Sequence, residues 1–401
     1  MQKAAIAGGS IGGLFVAAAL RKRGWAVTIY ERSNVELSGR GTGIVTHDSL
    51  NAALAEVIGA DLGDLGISVE RRVVFDRNSA LLRDQSFPQV VTSWDLIYQK
   101  LRTAIPDACY ELGKQVVDYA STPGGVEVRF ADGSVAEADL LIGADGFRSA
   151  VRARMWPEVT PLYSGYVAWR AVALEGALRP DLAERFFETF ALYLPQGMQV
   201  VGYPIAGEGN DLRPGHRRYN LVWYRPLDQQ GLDDHLTDST GRKHIISIPP
   251  PLVREELLDA VSRVAQAQLP EVFADVFRAS ERPFLAPIYD HISPAYNHGS
   301  VALSGDAACV ARPHVGMGVT KAGDDAMALA RHLDQARSIE DALEAYSRER
   351  LPAGRMALDR ARRLGSYITS GAAGQNADGR DNPHCDEIYR LTAIADFSGG
   401  P

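Results

Sequence analysis

Residues 4 to 32 constrain this chain more than any other stretch. Ala4-Ala5-Ile6-Ala7 is a short apolar run, and Gly8-Gly9-Ser10-Ile11-Gly12-Gly13 follows it at once. An Ala- and Leu-rich run, Leu14 to Leu20, is then closed by Arg21, Lys22, Arg23 and Gly24. A second apolar run, Val27-Thr28-Ile29-Tyr30, ends on Glu31. Strand, Gly-rich turn, helix, strand and acid in that order form the βαβ unit that binds dinucleotides. Gly8 permits the tight turn, a small residue at position 10 lets a pyrophosphate approach the backbone, and Gly13 lets the helix pack on the strand. The helix N-terminus offers free N–H groups and a partial positive charge to phosphates. Glu31 stands where an acid accepts hydrogen bonds from an adenosine ribose. Ser10 replaces the Gly of the fingerprint; it is still small, and its hydroxyl can itself bond a phosphate. The unit alone leaves the dinucleotide open between FAD and NAD(P).

A chain of 401 residues holds one large or two medium domains. Its net charge of −8 argues against a nucleic-acid surface. The three cysteines, Cys109, Cys309 and Cys385, are widely spaced, so neither a disulfide framework nor a metal site is expected. The sequence enters a strand directly after Met1-Gln2-Lys3, and no apolar run approaches the roughly 20 residues of a membrane helix. The expectation is a cytoplasmic enzyme with no membrane partner.

Beyond Glu31, the run Ser38-Gly39-Arg40-Gly41-Thr42-Gly43 brings backbone close to some neighbour, with His47 directly after it. A helix is expected over Trp94 to Ile105, and a hairpin around Thr122-Pro123-Gly124-Gly125. A buried strand, Leu140 to Ile142, delivers Gly143, Asp145 and Gly146 into a loop. Ser149 is placed to cap the next helix, which carries Arg152. The middle of the chain is rich in aromatic strands, from Tyr166 to Leu174, Phe187 to Leu194, Gln199 to Ile205 and Tyr219 to Tyr224. These read as an antiparallel sheet inserted between Rossmann halves, with Tyr203, Trp223 and Tyr224 as a candidate aromatic pocket wall. A last buried strand opens into Gly305-Asp306 and Arg312-Pro313-His314-Val315-Gly316-Met317-Gly318, and then a long Ala-rich helix. The helix from Ser338 to Arg363 is expected to break near Pro352. The Gly/Asn/Asp-rich end, 371 to 401, reads as a flexible tail.

Three loops thus stand at strand ends: Gly8–Gly13 with Glu31, Asp145-Gly146, and Gly305-Asp306. Their order and content resemble the FAD-dependent aromatic hydroxylases, the single-component (group A) flavoprotein monooxygenases related to 4-hydroxybenzoate hydroxylase. The resemblance runs from Ala4 to about Arg363. Gly8-Gly9-Ser10-Ile11, Gly41-Thr42-Gly43-Ile44-Val45, Gly165-Tyr166-Val167-Ala168-Trp169-Arg170 and Arg312-Pro313-His314 with Lys321 and Asp324-Asp325 resemble more closely the branch acting on dihydroxypyridines.

The resemblance implies an α/β fold: a Rossmann-like FAD-binding domain (1–75, 100–160 and 284–335), an inserted antiparallel-sheet substrate domain (76–99 and 161–283) and a C-terminal helix (336–370). It implies that Gly8, Ser10, Ile11, Gly12, Gly13, Glu31 and Arg32 hold the ADP half of FAD. Asp145 and Gly146 then lie near the pyrophosphate, Asp306 near the ribityl chain, and Pro313, Gly316, Met317 and Gly318 beside the flavin ring. Cys309 and Met317 stand where the family usually has His and Gln, and Ser93-Trp94-Asp95-Leu96 where many members have an Arg. The implied reaction takes NADH or NADPH and O2 and hydroxylates an electron-rich ring, a phenol or a hydroxypyridine, with 2,6-dihydroxypyridine the substrate expected. It proceeds in the family through a flavin hydroperoxide. Such a ring reacts best deprotonated, which asks for a relay near its hydroxyl; His47, Tyr203, Tyr224 and His314 are the candidates. A homodimer is the expected assembly. A reductase without oxygen insertion and a non-catalytic flavin-binding protein are the competing readings.

Overall fold

The computed structural model describes residues 1–39, 43–369 and 383–394. Two sheets organise it. The first has six strands in the order Asn297–His298, Val301–Leu303, Leu140–Gly143, Lys3–Ala7, Ala26–Glu31, Tyr110–Leu112. All pairs are parallel except the outermost, Asn297–His298 against Val301–Leu303. Its central residues are apolar at every position because both faces are covered, as parallel sheets require. Ile6 pairs with Ile29 on one side and Ile142 on the other, and all three are fully buried. The Ile11–Lys22 helix packs against the Gly318–Gln335 helix on one face. A three-stranded meander, Val116–Thr122, Gly125–Phe130 and Val135–Ala138, carries the expected hairpin.

The second sheet has nine strands. Their order is Cys309–Val310, Phe284–Ile292, Leu162–Leu174, Arg218–Pro226, Gln199–Ile205, Thr189–Tyr193, Ile67–Phe75, Leu81–Ser93, Gly43–Val45. It is antiparallel except where Thr189–Tyr193 runs parallel to Ile67–Phe75. Strands Gly43–Val45, Ile67–Phe75 and Phe284–Ile292 therefore belong to this sheet, although the sequence boundaries assign them to the dinucleotide domain. Only pairing partners decide this, and a strand's partners are not local.

The central strands alternate, and both of their faces are buried. Val167, Trp169, Ala171, Tyr219, Leu221 and Trp223 point to a core closed by the helices Pro180–Phe186, Glu255–Gln268 and Glu271–Ala279. Tyr166, Ala168, Val201, Tyr203, Val222 and Tyr224 point to the other face. Trp223 accordingly leaves the expected aromatic wall. It is next to Tyr224 in sequence, so it faces the opposite side, edge-on to Phe277 with centroids 5.9 Å apart.

The C-terminal part differs from expectation twice. The helix Ile339–Thr369 runs through Pro352 without a break. Pro352 and Arg348, whose carbonyl loses its partner, are both exposed, so water can take that bond. The expected tail contains a helix, Pro383–Leu391, whose Cys385, Ile388 and Tyr389 are buried against the nine-stranded sheet's second face. Arg72 fixes it: Nη1 donates to the Tyr389 carbonyl at 2.9 Å, and the Tyr389 hydroxyl donates to the Arg72 carbonyl at 3.1 Å. Among the described residues no helix is long and apolar enough to cross a membrane.

Candidate active site

A cavity of about 610 Å³ lies where the two sheets meet. Three sets of residues line it, and each comes from a different kind of local structure.

The first set is the dinucleotide turn. Gly8 turns at φ +100°, and a side chain there would strike the Ala144 carbonyl. A Cβ on Gly13 would strike the Gly8 carbonyl oxygen. Ser10, Ile11 and Gly12 line the cavity. Ser10 precedes the helix without a side-chain cap, and no acid stands in the first turn, so the helix N-terminus remains available to an anion. Glu31 is buried; its carboxylate accepts from Gly9 N at 2.8 Å and Ser33 N at 2.9 Å. Its carboxylate thus braces the turn from behind and does not line the cavity. Tyr110, absent from the sequence reading, donates its hydroxyl to the Gly9 carbonyl at 2.9 Å. Arg32 is exposed at the strand end and does not line the cavity.

The second set comes from the two carboxylate loops. Gly146 lines the cavity, as do Ala144 and Phe147. Asp145 points back into its own helix: Oδ2 accepts from Ala150 N at 2.7 Å, and Ser149 Oγ accepts from Arg152 N at 2.8 Å. Burial raises the Asp145 carboxyl, with the Ser149 hydroxyl and then the local N–H groups working against it. Arg152 is buried, donating to His291 Nε2 at 3.0 Å and to the Phe147 carbonyl at 2.8 Å. Asp306 lines the cavity. The surrounding protein raises its carboxyl, and the Lys321 ammonium opposes that rise. A buried charge cluster holds this loop. Lys321 Nζ donates to the Gly305 carbonyl at 2.8 Å and to Asp325 Oδ2 at 3.0 Å, and Gly305 N donates to that same oxygen at 3.0 Å. Arg350 completes it on Asp325 Oδ1 at 2.8 Å. Burial alone would raise the Asp325 carboxyl; Lys321 and Arg350 outweigh it and hold it below the usual range.

Pro313, His314, Gly316, Met317 and Gly318 continue the lining. Gly316 is left-handed at φ +66°, which reverses the chain into the Gly318–Gln335 helix. That helix also starts without a side-chain cap or an acid in its first turn. Two uncapped helix N-termini therefore open on one cavity, and both favour negative charge there.

The third set is the sheet face: Arg170, Phe190, Gln199, Val201, Tyr203, Val222 and Tyr224. Tyr203 stacks on Phe190 with centroids 5.3 Å apart, and burial pushes its hydroxyl up to about 12 against the charge of Arg170. Tyr224 packs on the His314 ring at 4.6 Å, and burial raises its hydroxyl too. His314 is buried; its Nε2 shares a hydrogen with the Tyr166 hydroxyl at 2.7 Å, and its Nδ1 has no partner among the described residues. Burial pushes the imidazole down to about 3, with the Arg312 charge adding to the effect, so it is neutral. His47 does not line the cavity. Its Nδ1 pairs with Thr320 Oγ1 at 2.8 Å and its Nε2 reaches the Ala393 carbonyl at 3.4 Å, so it ties helix to C-terminal segment. Residues 40–42 of the glycine-rich run lie outside the described residues.

Arg170, Gln199 and Thr392 of this lining were not singled out from sequence. Arg170 lies within a quoted stretch, Gly165 to Arg170, but nothing local marks it as facing a cavity. Thr392 enters from a segment read as tail.

The cavity suits FAD on its own evidence. A tight turn that only glycine at positions 8 and 13 permits, two helix N-termini without side-chain caps and the Asp306 carboxylate in the lining match a pyrophosphate, an anionic ring and a polyol chain. Comparison with known proteins agrees. Residues 163–290 match the FAD binding domain-like family. The chain is 32% identical to 2,6-dihydroxypyridine 3-monooxygenase of Paenarthrobacter nicotinovorans over 375 residues, 92% of each protein. The structure of 2,6-dihydroxypyridine-3-hydroxylase from Arthrobacter nicotinovorans superposes with a TM-score of 0.87 at 30% identity, covering 96% of this chain and 95% of that one. Klebsiella pneumoniae HpxO, solved with FAD and uric acid, shares the fold alone: TM-score 0.74 at 23% identity, covering 97% of this chain and 92% of that one. The chain belongs to the FAD-dependent aromatic monooxygenases.

Proposed function

We propose that this enzyme hydroxylates a hydroxylated N-heterocycle, 2,6-dihydroxypyridine at C3, with NADH or NADPH as electron donor. The observation that carries this reading is Arg170, a cation set among Phe190, Val201, Tyr203, Val222 and Tyr224 on the cavity's sheet face. Aromatic walls accept a flat ring, and a guanidinium among them favours a ring oxygen in its anionic form. The relative that acts on 2,6-dihydroxypyridine supports the same choice.

In this reading Ser10, Ile11 and Gly12 would hold the pyrophosphate, on a turn that Gly8 and Gly13 permit and Glu31 braces. Asp306 would bond the ribityl hydroxyls, and Gly316, Met317 and Gly318 would hold the flavin ring. Bound FAD supplies the activation of O2 with electrons from NAD(P)H. Arg170 holds the substrate oxyanion, which keeps the ring electron-rich. His314, neutral and with no partner for Nδ1 among the described residues, takes a share of the substrate hydroxyl proton, and Tyr166 holds the imidazole in place through Nε2. The uncapped Gly318–Gln335 helix stabilises negative charge beside it by ~0.3–2 kcal/mol. Tyr203, Phe190 and Tyr224 keep water out. One oxygen atom enters the substrate; the other leaves as water, using two electrons from NAD(P)H and a proton.

The test is O2 and NAD(P)H consumption by the FAD-loaded protein with and without 2,6-dihydroxypyridine, with the product mass recorded. Stimulated consumption and a gain of one oxygen atom is the expected result. Peroxide alone makes this pyridine an uncoupling analogue, and no stimulation removes it as substrate.

A further inference from the structure

Gln199 opens the strand Gln199–Ile205, opposite Tyr224 in register. Its neighbours on the cavity face are Val201 and Tyr203. Gln199 is fully buried and lines the cavity. Its Nε2 donates to Thr392 Oγ1 at 3.2 Å, while Oε1 is buried with no partner among the described residues. An unsatisfied buried amide atom is costly, so a β-branched residue like Val201 would suit this wall better if nothing bound there. Thr392 is buried too and also lines the cavity. Its position is fixed from the next residue, where Ala393 N donates to the His314 carbonyl at 2.8 Å.

We infer that Gln199, oriented by Thr392, pairs with the ring nitrogen of the substrate and so selects N-heterocycles over carbocyclic phenols. This rests on the function proposed above and names a specificity residue for it. The oxygen and nitrogen of a glutamine amide interchange by a flip, and the Thr392 hydroxyl can donate or accept. The atom left over for the ligand is therefore an acceptor for a ring N–H or a donor to a bare ring nitrogen. Either pairs with a pyridine or pyridone; neither pairs with a ring C–H. Arg170 projects from the same face two strands away, in register with Val201 and so two residues along from Gln199, which separates the two backbones by roughly 12 Å. That span leaves room for one six-membered ring with its nitrogen at Gln199 and an oxygen at Arg170.

The test compares 2,6-dihydroxypyridine with 1,3-dihydroxybenzene, the same molecule with C–H in place of N. Dissociation constants are read from the flavin absorbance of the oxidised, FAD-loaded enzyme without donor. The wild type is expected to bind the pyridine at least about tenfold more tightly. Gln199→Leu is expected to remove that preference by weakening the pyridine alone. Thr392→Val, which keeps the amide but frees it, is expected to reduce the preference in part, and serves if Gln199→Leu does not retain FAD. Equal weakening of both ligands would mean that Gln199 only anchors the C-terminal segment, and would overturn the inference. An unchanged preference in both variants would overturn it too, with the proposed function intact. A wild type that neither binds nor hydroxylates the pyridine would defeat the function itself, before any substitution, and this inference with it.

Discussion

The six-stranded and nine-stranded sheets border one cavity and build it differently. The six-stranded sheet contributes backbone: turns at strand ends, helix N-termini, and glycines where any side chain would collide. The nine-stranded sheet contributes side chains, every second residue from strands distant in sequence. Arg170 meets Val222 across one strand pair, and Val222 meets Val201 across the next. Binding by backbone tolerates almost no substitution but reads little about a ligand beyond charge and shape. Binding by side chains on a sheet face tolerates exchange of one side chain at a time, and this is where a family can change substrate while keeping its cofactor.

The sharpest way to break this contrast is Gly13→Val on the backbone side. Its Cβ would collide with the Gly8 carbonyl, which cannot yield without moving the turn. Loss of FAD with a lowered Tm is expected, measured by flavin content and thermal unfolding; a fully yellow, stable variant would show that the turn can relax. On the side-chain side, Arg170→Met should leave flavin content intact while kcat/KM for the dihydroxypyridine falls about 100-fold, the scale of one lost charge-assisted hydrogen bond in a dry site. Joint loss of FAD and activity in that variant would erase the division of labour.

The seam between the sheets gives a smaller effect. His291 accepts from Arg152 and is pushed down to about 3 by burial, with the Arg152 charge adding. Its folded-state value lies below its unfolded one, so the unfolded chain binds more protons between about pH 6.5 and 3. Stability is therefore complete above 6.5 and declines as pH falls through that window. At pH 5 the expected loss is about 2 kcal/mol for this histidine. Urea unfolding of wild type and His291→Gln at pH 7 and 5 checks it: the variant should show a flatter pH response, and equal responses would place the acid sensitivity elsewhere.

The sequence by itself determined the parts whose physics is local. The Gly8–Gly13 turn, the Ser149 cap, the hairpin at Thr122–Gly125 and the strand leading to Gly305-Asp306 each depend on residues a few positions apart, and each was legible. Tertiary structure decided the rest. It placed Trp223 in the far core while keeping Tyr224 at the cavity, because adjacent strand residues face opposite ways and only the covering layers say which way is inside. It turned Glu31 and Asp145 onto backbone N–H groups, drew His47 to Thr320 and Ala393, and carried Pro352 within a continuous helix whose freed carbonyl faces solvent. It brought Thr392 to Gln199, 193 residues away. No pattern within a strand or a tail encodes a partner so remote; packing of the whole chain selects it.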